Sequence, residues 1–324
     1  MKILITGGAG FLGSLLARTL LRRGTLCGRR VEAVVLADLF ESRDETLLAD
    51  PRVRCHAGDL LSQLPALMAQ PHDAVFHLAS AVSGECEADF DLGLRSNLDS
   101  TRALLDACRA QSQRTGQAPL FFFSSSVAVF GSDPALPLPA VVDDRTLPTP
   151  QSSYGIHKFI CEQLVADYTR KGFIDGRCAR LMTVSVRPGK PNGAASSFLS
   201  GIVREPLADV EAVCPVGPDT AVALASPDNT VAGILAVAEA SREQFGGRTA
   251  LNLPALTVTV REMLAALAEV GGDAVARRVR FVPDPAIERI VGAWPSRIDS
   301  QRAQRLGLQA DADYRSVIAQ YLRR

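Results

Sequence analysis

The amino-terminal segment reads KILITGGAGFLG over residues 2–13. Five strand-like residues, Lys2 to Thr6, lead directly into closely spaced glycines, and a helical pattern follows. In a strand–turn–helix unit, Gly7 permits the tight turn, Gly10 lets the backbone approach a pyrophosphate, and Gly13 allows close packing of helix on strand. The helix N-terminus adds partial positive charge and N–H donors. The segment therefore predicts a dinucleotide-binding turn, with a glycine-rich turn in another α/β fold as the alternative.

Short apolar runs alternate with helical patterns through the first half of the chain. Most residues of these runs are apolar, as in parallel strands that helices cover on both faces. The alternation predicts βαβ units and an α/β fold with a Rossmann-type doubly wound parallel sheet. The predicted strands include Lys2 to Thr6, Val31 to Ala37, Ala74 to Ala79, Leu120 to Ser124 and Arg180 to Val186.

The composition changes after Pro188, where Pro, Gly, Ser and Ala become frequent. Such residues suit loops and short helices better than another βα unit. We therefore expect a dinucleotide-binding domain at residues 1–187 and a smaller C-terminal, mainly substrate-binding domain at residues 188–324. A helix and a short strand within residues 226–254 are expected to return to the first sheet. Near the start of the later part, Thr259 with Glu262 three residues on predicts a capping box and a new helix.

The overall composition excludes several classes of protein. The 324 residues are 47% hydrophobic, enough for a full core, and 35 basic side chains balance 35 acidic ones, so no global field favours nucleic acid or an anionic membrane. No apolar run approaches a membrane span, and the first glycines come too early for a signal peptide. The seven cysteines form no C-x-x-C pair and no metal-ligand spacing. We expect a soluble, cytoplasmic protein with reduced thiols, no metal, and no nucleic-acid or membrane partner.

Two acidic residues follow predicted strands and bear on the choice of cofactor. Asp38 ends the second strand, where a carboxylate accepts hydrogen bonds from adenosine ribose hydroxyls and repels a 2′-phosphate, which favours NAD over NADP. A helix-capping Asp is the alternative, and Arg43 nearby could partly hold a phosphate. Asp59, after a further strand-like segment, could reach the adenine ring or serve as an ordinary N-cap.

A pair of residues at helical spacing suggests acid–base chemistry. Tyr154 and Lys158 are four apart, hence on one helical face, and Ser124, Ser125 and Ser126 end an apolar strand upstream. An ammonium beside a phenol stabilises the phenolate and lowers a pKa that is about 10 in water. An incidental surface pair is the alternative. Combined with the glycine turn, the set predicts a general base that works beside a bound dinucleotide.

These motifs together resemble the extended short-chain dehydrogenase/reductase family, which includes nucleotide-sugar epimerases and dehydratases. The resemblance spans essentially the whole chain. It rests on the T-G-x-x-G-x-x-G turn at residues 6–13, Asp38, Asp59, His77-Leu78-Ala79-Ser80, Asn97-Leu98-Asp99-Ser100-Thr101, Ser-x-x-Val-Phe-Gly at residues 126–131, Tyr154 with Lys158, and Arg187-Pro188.

The resemblance implies residue roles and an NAD cofactor. By position, Ser126 rather than Ser124 or Ser125 matches the catalytic serine, Tyr154 the general acid/base, and Lys158 the ribose-binding lysine. Ser126 and Tyr154 would then both contact the substrate, and Tyr154 would also contact the cofactor. The implied cofactor-binding residues are Gly7, Gly10, Phe11, Leu12, Gly13, Asp38, Asp59, Leu60, Leu78, Ala79, Ser80, Asn97, Tyr154 and Lys158. His77, at a strand end, is expected to be a packing residue rather than a ligand.

Further segments are similar to a narrower group in the family, dehydrogenases that oxidise C2 of a four-carbon sugar acid. Nucleotide-sugar enzymes usually continue after Arg-Pro into an Asn-Val-Tyr-Gly-Pro type segment, whereas residues 189–193 here read GKPNG. Lys190 could supply a cation for a substrate carboxylate, or be a solvated loop lysine. The segments span residues 82–93, 187–192, 195–198, 204–207 and 284–291, and the implied substrate residues are Ser83, Ser126, Tyr154, Gly189, Lys190, Asn192 and Ser197.

Two other functions and one assembly remain to be weighed. A nucleotide-sugar epimerase would use the same Ser, Tyr and Lys but keep its NAD permanently bound. A dinucleotide-sensing regulator is disfavoured, because a sensor could lose this set and the set is complete here. The resemblance also implies a homodimer that pairs through the helices beginning near Asn97 and Tyr154. The apolar residues that favour such pairing are Leu98, Leu104, Leu105, Cys108, Ile160, Leu164 and Val165.

Overall fold

A seven-stranded parallel sheet organises the computed structural model, which describes residues 1–189 and 193–323. The strand order is β12-β8-β7-β6-β1-β4-β5, which confirms the predicted Rossmann-type doubly wound sheet. All neighbouring strands in it run parallel. The strands along the chain are β1 (Lys2–Thr6), β2 (Thr25–Leu26), β3 (Arg29–Arg30), β4 (Ala33–Asp38), β5 (Val53–Ala57), β6 (Ala74–His77), β7 (Leu120–Ser126), β8 (Asp175–Leu181), β9 (Thr183–Val184), β10 (Ala212–Cys214), β11 (Ala221–Ala225), β12 (Leu251–Asn252), β13 (Leu256–Thr259) and β14 (Val279–Phe281).

Helices cover both faces of this sheet. A π-helical segment spans Leu94–Asp99, and a 3₁₀ turn spans Val127–Val129. The α-helices are α1 (Phe11–Arg23), α2 (Glu45–Leu48), α3 (Leu60–Leu67), α4 (Ser83–Ala88), α5 (Phe90–Gly93), α6 (Ser100–Thr115), α7 (Ser153–Arg170), α8 (Phe198–Leu207), α9 (Pro227–Glu239), α10 (Arg242–Phe245), α11 (Val260–Gly271), α12 (Asp273–Ala276), α13 (Pro285–Gly292), α14 (Gln301–Arg305) and α15 (Tyr314–Leu322).

Alternate residues of each central strand point to opposite faces of the sheet. In β1, Ile3 and Ile5 pack with Leu16 of α1 and Ile234 of α9. Leu4 belongs to the core on the other face, formed with side chains of α3, α6 and α7. Because both faces are buried, the strands carry apolar residues at nearly every position, which is why their sequence lacks a period of two.

The strand predicted at Arg180 to Val186 is misplaced. The structure begins β8 at Asp175, ends it at Leu181, and forms β9 as a separate short strand. The first part of β8 was not predicted because its sequence contains charged residues. The Arg177 guanidinium bonds to Asp175 and to the Ala240 carbonyl, so a strand with buried arginines is stable although its sequence is not apolar.

A second, smaller region has its own sheets and core. β11 pairs antiparallel with β13 and parallel with β9, and β10 pairs with β14. Its buried side chains include Ile202 of α8, Met263 of α11 and Ile318 of α15. The chain re-enters the large sheet at β12, where Leu251 pairs with Ala179 of β8.

The first turn of α11 has the local structure predicted from the sequence. The predicted capping box is present: the Thr259 side chain accepts the Glu262 N–H, and the Glu262 carboxylate accepts the Thr259 N–H. Five of the seven cysteines are buried and all are free. Within the described ranges, no helix combines the length and the apolar character needed to cross a membrane.

Candidate active site

The glycine turn after β1 leaves no room for side chains. Gly7 has φ of +70°, and a Cβ there would lie 2.8 Å from the Ala79 nitrogen. A Cβ at Gly13 would lie 2.1 Å from the Gly7 carbonyl oxygen. α1 therefore begins directly against the end of β1, and no side chain of its N-cap residue Gly10 covers the first turn. This cradle fits a pyrophosphate, whose oxygens accept hydrogen bonds from N–H groups at a helix N-terminus.

Asp38, the last residue of β4, is fixed against that turn. Its Oδ2 accepts hydrogen bonds from the Ala9 N–H (3.0 Å) and the Gly10 N–H (3.1 Å), and its Oδ1 accepts the Phe40 N–H (3.2 Å). A cleft of about 230 Å³ opens beside it, and Phe40 and His56 are among its lining residues. The carboxylate thus stands between the phosphate cradle and a cleft with an aromatic and an imidazole ring on its wall.

Asp59 lies at the end of the next strand, in the position expected for a capping residue. Its carboxylate accepts the Ser62 N–H at 3.0 Å, and α3 begins at Leu60. This is the N-cap alternative considered from the sequence; a contact between Asp59 and an adenine ring stays a prediction. Arg43 is exposed, and its influence on cofactor choice also stays a prediction.

His77, the last residue of β6, is a buried packing residue, as expected. Its Nδ1 is 2.6 Å from the Thr6 hydroxyl and its Nε2 is 2.9 Å from the Thr101 hydroxyl. Burial, with a smaller contribution from the Lys158 charge, lowers the pKa of His77 to about 3. Both nitrogens of the neutral ring are therefore used to join β1 to α6, and neither is left to bind another group. The Thr6 hydroxyl also accepts the Ala79 N–H.

Asn97 organises the loop that follows β6. It is buried in the π-helical segment, and its Oδ1 accepts hydrogen bonds from the Ala81 N–H (2.7 Å) and the Ser80 hydroxyl (3.1 Å). Its Nδ2 donates to the Ala81 carbonyl and to the Cys86 sulfur. Both donors and both acceptor positions of the amide are therefore used within the protein, so Asn97 shapes the loop of Leu78, Ala79 and Ser80.

The three serines at the end of β7 differ in what they contact. The Ser124 hydroxyl donates to the His77 carbonyl, and the Ser125 hydroxyl bonds to Glu162, so both are committed to the interior. The Ser126 side chain stands at the strand tip, where its Oγ accepts the Ala128 N–H. Its O–H donates to no acceptor among the described residues, which distinguishes Ser126 from its two neighbours.

The start of α7 packs directly on the turn after Ser126. A Cβ added to Gly155 would lie 2.1 Å from the Ala128 carbonyl oxygen. The helix end is fixed by Ser152, whose hydroxyl accepts the Gly155 N–H, and by Glu87, whose carboxylate accepts the Ser153 N–H. Tyr154 therefore enters the site beside the end of β7.

Lys158 lies one turn further along α7 and is buried. Its ammonium donates to the Ser124 carbonyl at 2.9 Å and lies 4.9 Å from the Phe123 ring centroid and 5.5 Å from that of Tyr154. None of the ion pairs formed by residues 1–189 and 193–323 includes Lys158. A buried cation with no carboxylate partner among the described residues favours an anion nearby, and Lys158 is therefore a candidate to bind a negatively charged group.

Two close contacts join α4, which follows β6, to the segment before α8. The Ser83 hydroxyl accepts the Ala195 N–H at 3.2 Å, and a Cβ at Gly84 would lie 2.2 Å from the Gly193 carbonyl oxygen. Gly189 has φ of +84°, and Ser197 is the half-buried N-cap residue of α8. Lys190 and Asn192, which the sequence nominates for substrate binding, lie outside the described residues.

Sequence reasoning missed three polar residues close to these elements. Glu162 forms a buried pair with Arg180 and holds the Ser125 hydroxyl under the strand end. Its position four residues after Lys158 on α7 was a usable signal. Glu87 caps α7 from α4, and no local pattern indicates so distant a partner. Arg187, noted in the sequence only as part of a motif, has a buried nitrogen with no hydrogen-bond partner in the described part of the chain.

Comparison with protein families and relatives agrees with this geometry. Residues 3–248 match the family model described as the NAD dependent epimerase/dehydratase family. A D-erythronate dehydrogenase from Cupriavidus necator is 51% identical over 99% of this chain and 98% of its own length. A D-erythronate dehydrogenase from Haemophilus influenzae is 42% identical over 99% of each chain.

A solved structure is also similar over the full length. The crystal structure of the nucleoside-diphosphate-sugar epimerase from Agrobacterium tumefaciens is 40% identical and superposes with a TM-score of 0.91. The match covers 100% of this chain and 94% of that chain. Both regions of the fold are therefore shared with this relative.

Proposed function

The chain belongs to the NAD dependent epimerase/dehydratase family and is an NAD-dependent oxidoreductase, and from this premise we propose that it oxidises the C2 hydroxyl of D-erythronate. The product would be the corresponding 2-oxo acid. The observation that carries this proposal is the full-length similarity, at 51% and 42% identity, to two D-erythronate dehydrogenases. The family assignment confirms the resemblance to extended short-chain dehydrogenase/reductases.

NAD would supply the hydride acceptor, its nicotinamide ring. The residues proposed to hold it are the turn Gly7 to Gly13, with Asp38 at the ribose, and the loop Leu78 to Ser80 that Asn97 shapes. The tight cradle and the carboxylate against it support this fit. Direct contacts from Asp59 and Leu60 to the adenine remain part of the proposal.

Tyr154, Ser126 and Lys158 are proposed to handle the proton. The Tyr154 phenolate would take the proton of the C2 hydroxyl, while the Ser126 hydroxyl bonds the same oxygen. The Lys158 ammonium, buried and without a carboxylate partner among the described residues, would stabilise the phenolate and bond the nicotinamide ribose.

The reaction balances without another reactant. The C2–H and O–H bonds break and a C2=O double bond forms, so the substrate loses two electrons and two protons in total. NAD, when bound, would take the hydride, and Tyr154 would accept the proton and pass it on to water. Because the neighbouring carboxylate makes C2 electron-poor and opposes hydride loss, the rate would depend on positioning and on stabilisation of the developing alkoxide.

A nucleotide-sugar epimerase is the second candidate. It would use the same three side chains, and the similarity to the Agrobacterium tumefaciens epimerase supports it. A D-erythronate dehydrogenase is more similar in sequence than this epimerase, at 51% against 40% identity, which favours the sugar acid as substrate.

We also propose Ser83, Gly189, Lys190, Asn192 and Ser197 as substrate-side residues.

The test is a screen of four- and five-carbon sugar acids with NAD, read as absorbance of the reduced cofactor. D-erythronate should give one equivalent of NADH for each oxo acid formed, and Tyr154→Phe assayed in parallel should give none. UDP- and GDP-sugars belong in the same screen. Epimerisation of a nucleotide sugar, with no net NADH from any sugar acid, would contradict the proposal and support the alternative.

A further inference from the structure

Two arginines and one glutamate form a cluster between the end of β9 and α8, in which Arg204 is buried and Arg187 and Glu205 are half-buried. Arg187 follows β9, and Arg204 and Glu205 lie on α8. The Arg204 guanidinium donates to the Arg187 carbonyl oxygen at 2.8 Å and to the Glu205 carboxylate at 2.5 Å. The Arg187 N–H donates to the Ser200 hydroxyl at 3.0 Å, which fixes the backbone of this residue.

The charges of this cluster do not balance. Arg204 pairs with Glu205, whereas Arg187 takes part in none of the ion pairs formed by residues 1–189 and 193–323. Its Nη2 is buried and has no hydrogen-bond partner among the described residues. Burial lowers the pKa of Arg187, and so does the neighbouring Arg204 charge, while the Tyr154 charge raises it. A buried guanidinium costs stability unless an anion compensates for its charge.

The unpaired nitrogen also lies in a useful place. The Arg187 N–H bonds to Ser200 in the first turn of α8, three residues after Ser197, and Arg187 comes two residues before Gly189. Arg187 therefore adjoins the segment proposed to face the substrate, and the Tyr154 charge is among those that raise the pKa of its guanidinium. Tyr154 is the residue proposed to take the proton from C2–OH. In a 2-hydroxy acid the carboxylate is bonded to C2 itself, so an anion site next to Tyr154 suits this group of the substrate.

We propose that Arg187 binds the carboxylate of the sugar acid through its unpaired guanidinium edge and thereby directs the C2 hydroxyl to Tyr154. This inference rests on the proposed function. It assigns the recognition of the substrate's charge to a residue at the end of β9, in addition to the loop that contains Lys190. A guanidinium fork matches the two oxygens of a carboxylate, and the bound anion would neutralise the excess charge of the cluster.

The experiment compares D-erythronate with D-erythronamide, its neutral counterpart of the same shape, at saturating NAD. Arg187→Gln should lower kcat/KM for D-erythronate by about 10- to 150-fold, the effect of losing a charge-assisted hydrogen bond. The value for the amide should change less than about threefold, so the preference for acid over amide disappears. Equal losses with both substrates would mean a structural role and would overturn the inference.

Two further variants keep the test informative. Arg187→Lys retains the charge and should keep part of the preference for the acid, even if Arg187→Gln is poorly folded. Arg261→Gln removes an exposed arginine that pairs with exposed Asp219, and it should leave both substrates unaffected. NADH affinity, measured by fluorescence titration, should be the same in all three variants. A selective loss in Lys190→Gln with none in Arg187→Gln would overturn the inference.

A binding measurement separates this inference from the proposed function. Butanoate has the carboxylate but no hydroxyl to oxidise, and its binding to the enzyme–NADH complex can be followed by the fluorescence of NADH. Arg187-dependent binding of butanoate without oxidation of D-erythronate would support the anion site and contradict the substrate. Oxidation of D-erythronate with full activity in Arg187→Gln would support the proposed substrate and contradict the anion site at Arg187.

Discussion

The buried charged residues of this site differ in whether they have a counterion. Glu162 and Arg180 are both buried, and each satisfies the other through two hydrogen bonds. Lys158 is as deeply buried, but its ammonium donates a hydrogen bond to a carbonyl and otherwise lies near two aromatic rings. A buried ion that lacks a counterion is costly in a protein interior, so its persistence indicates that another group supplies the charge.

At this scale, Tyr154→Phe should abolish oxidation and leave NAD binding nearly intact. The substitution removes the proton acceptor but retains the ring near the Lys158 ammonium. We expect kcat to fall by at least about 100-fold, the usual contribution of general base catalysis. NADH titration by fluorescence supplies the control. Turnover at the wild-type rate would show that another group accepts the proton.

Asp38→Ala should relax the preference for NAD over NADP. The variant loses the carboxylate that the Ala9 and Gly10 N–H groups hold at the end of β4, and with it the repulsion of a 2′-phosphate. The ratio of kcat/KM for the two cofactors measures the effect. Asp313→Ala is the matched control, because that carboxylate caps α15 in the second region. An unchanged ratio in Asp38→Ala would assign discrimination to another residue.

Among the elements, α7 has a strict packing requirement, because its first turn contacts the turn after Ser126. The contact depends on Gly155, which lets the helix approach the Ala128 carbonyl. Glu87 of α4 and Ser152 fix the same helix end. The geometry of Ser126 and Tyr154 is thus set by an interface between two elements distant in sequence.

Gly155→Ala should therefore harm both stability and catalysis. Its Cβ would lie 2.1 Å from a backbone oxygen, so α7 must shift away from β7. We expect a loss of about 1–3 kcal/mol in the free energy of unfolding, typical of overpacking, and a lower kcat. Gly292→Ala, where a Cβ meets nothing within 4 Å, is the matched control. Equal denaturant midpoints for the two variants would contradict this packing argument.

The elements also show what sequence can and cannot predict. β1 and the capping box at Thr259 follow from contiguous residues, and both were predicted correctly. The start of β8 was missed because the buried Arg177 bonds to the Ala240 carbonyl, a partner that lies far away along the chain. Likewise, the choice of Ser126 came from the family motif, while its physical reason, the commitment of the other two serines, exists only in the folded protein.

At the scale of the whole molecule, the division at residue 187 and the homodimer stay predictions. Of the apolar residues named for pairing, Leu104, Leu105, Cys108 and Val165 belong to the protein's own core. Ile160 is 39% exposed, and Ile156, one turn earlier on α7, is 45% exposed. Phe90 of α5 is 61% exposed and its ring is near His157 of α7. These side chains form the surface on which we expect a second copy to pack.

Light scattering at micromolar concentration tests this assembly. Wild-type protein should show twice the mass of 34.5 kDa, and the double variant Ile156→Glu, Ile160→Glu should show the mass of one chain. Two charges on the apolar surface would face their copies across the twofold axis. Val213→Glu alters an equally exposed residue of the second region and should stay dimeric. A monomeric wild type would contradict the homodimer.

Transfer of an isotope label tests the central claim most directly. D-erythronate carrying deuterium at C2 is incubated with NAD and the enzyme, and both products are analysed by mass spectrometry. We predict that the deuterium appears in the reduced cofactor, one atom for each 2-oxo acid formed, and that Tyr154→Phe transfers none. Retention of the label in the sugar acid, with no reduced cofactor released, would contradict the claim that this protein oxidises the C2 hydroxyl of D-erythronate.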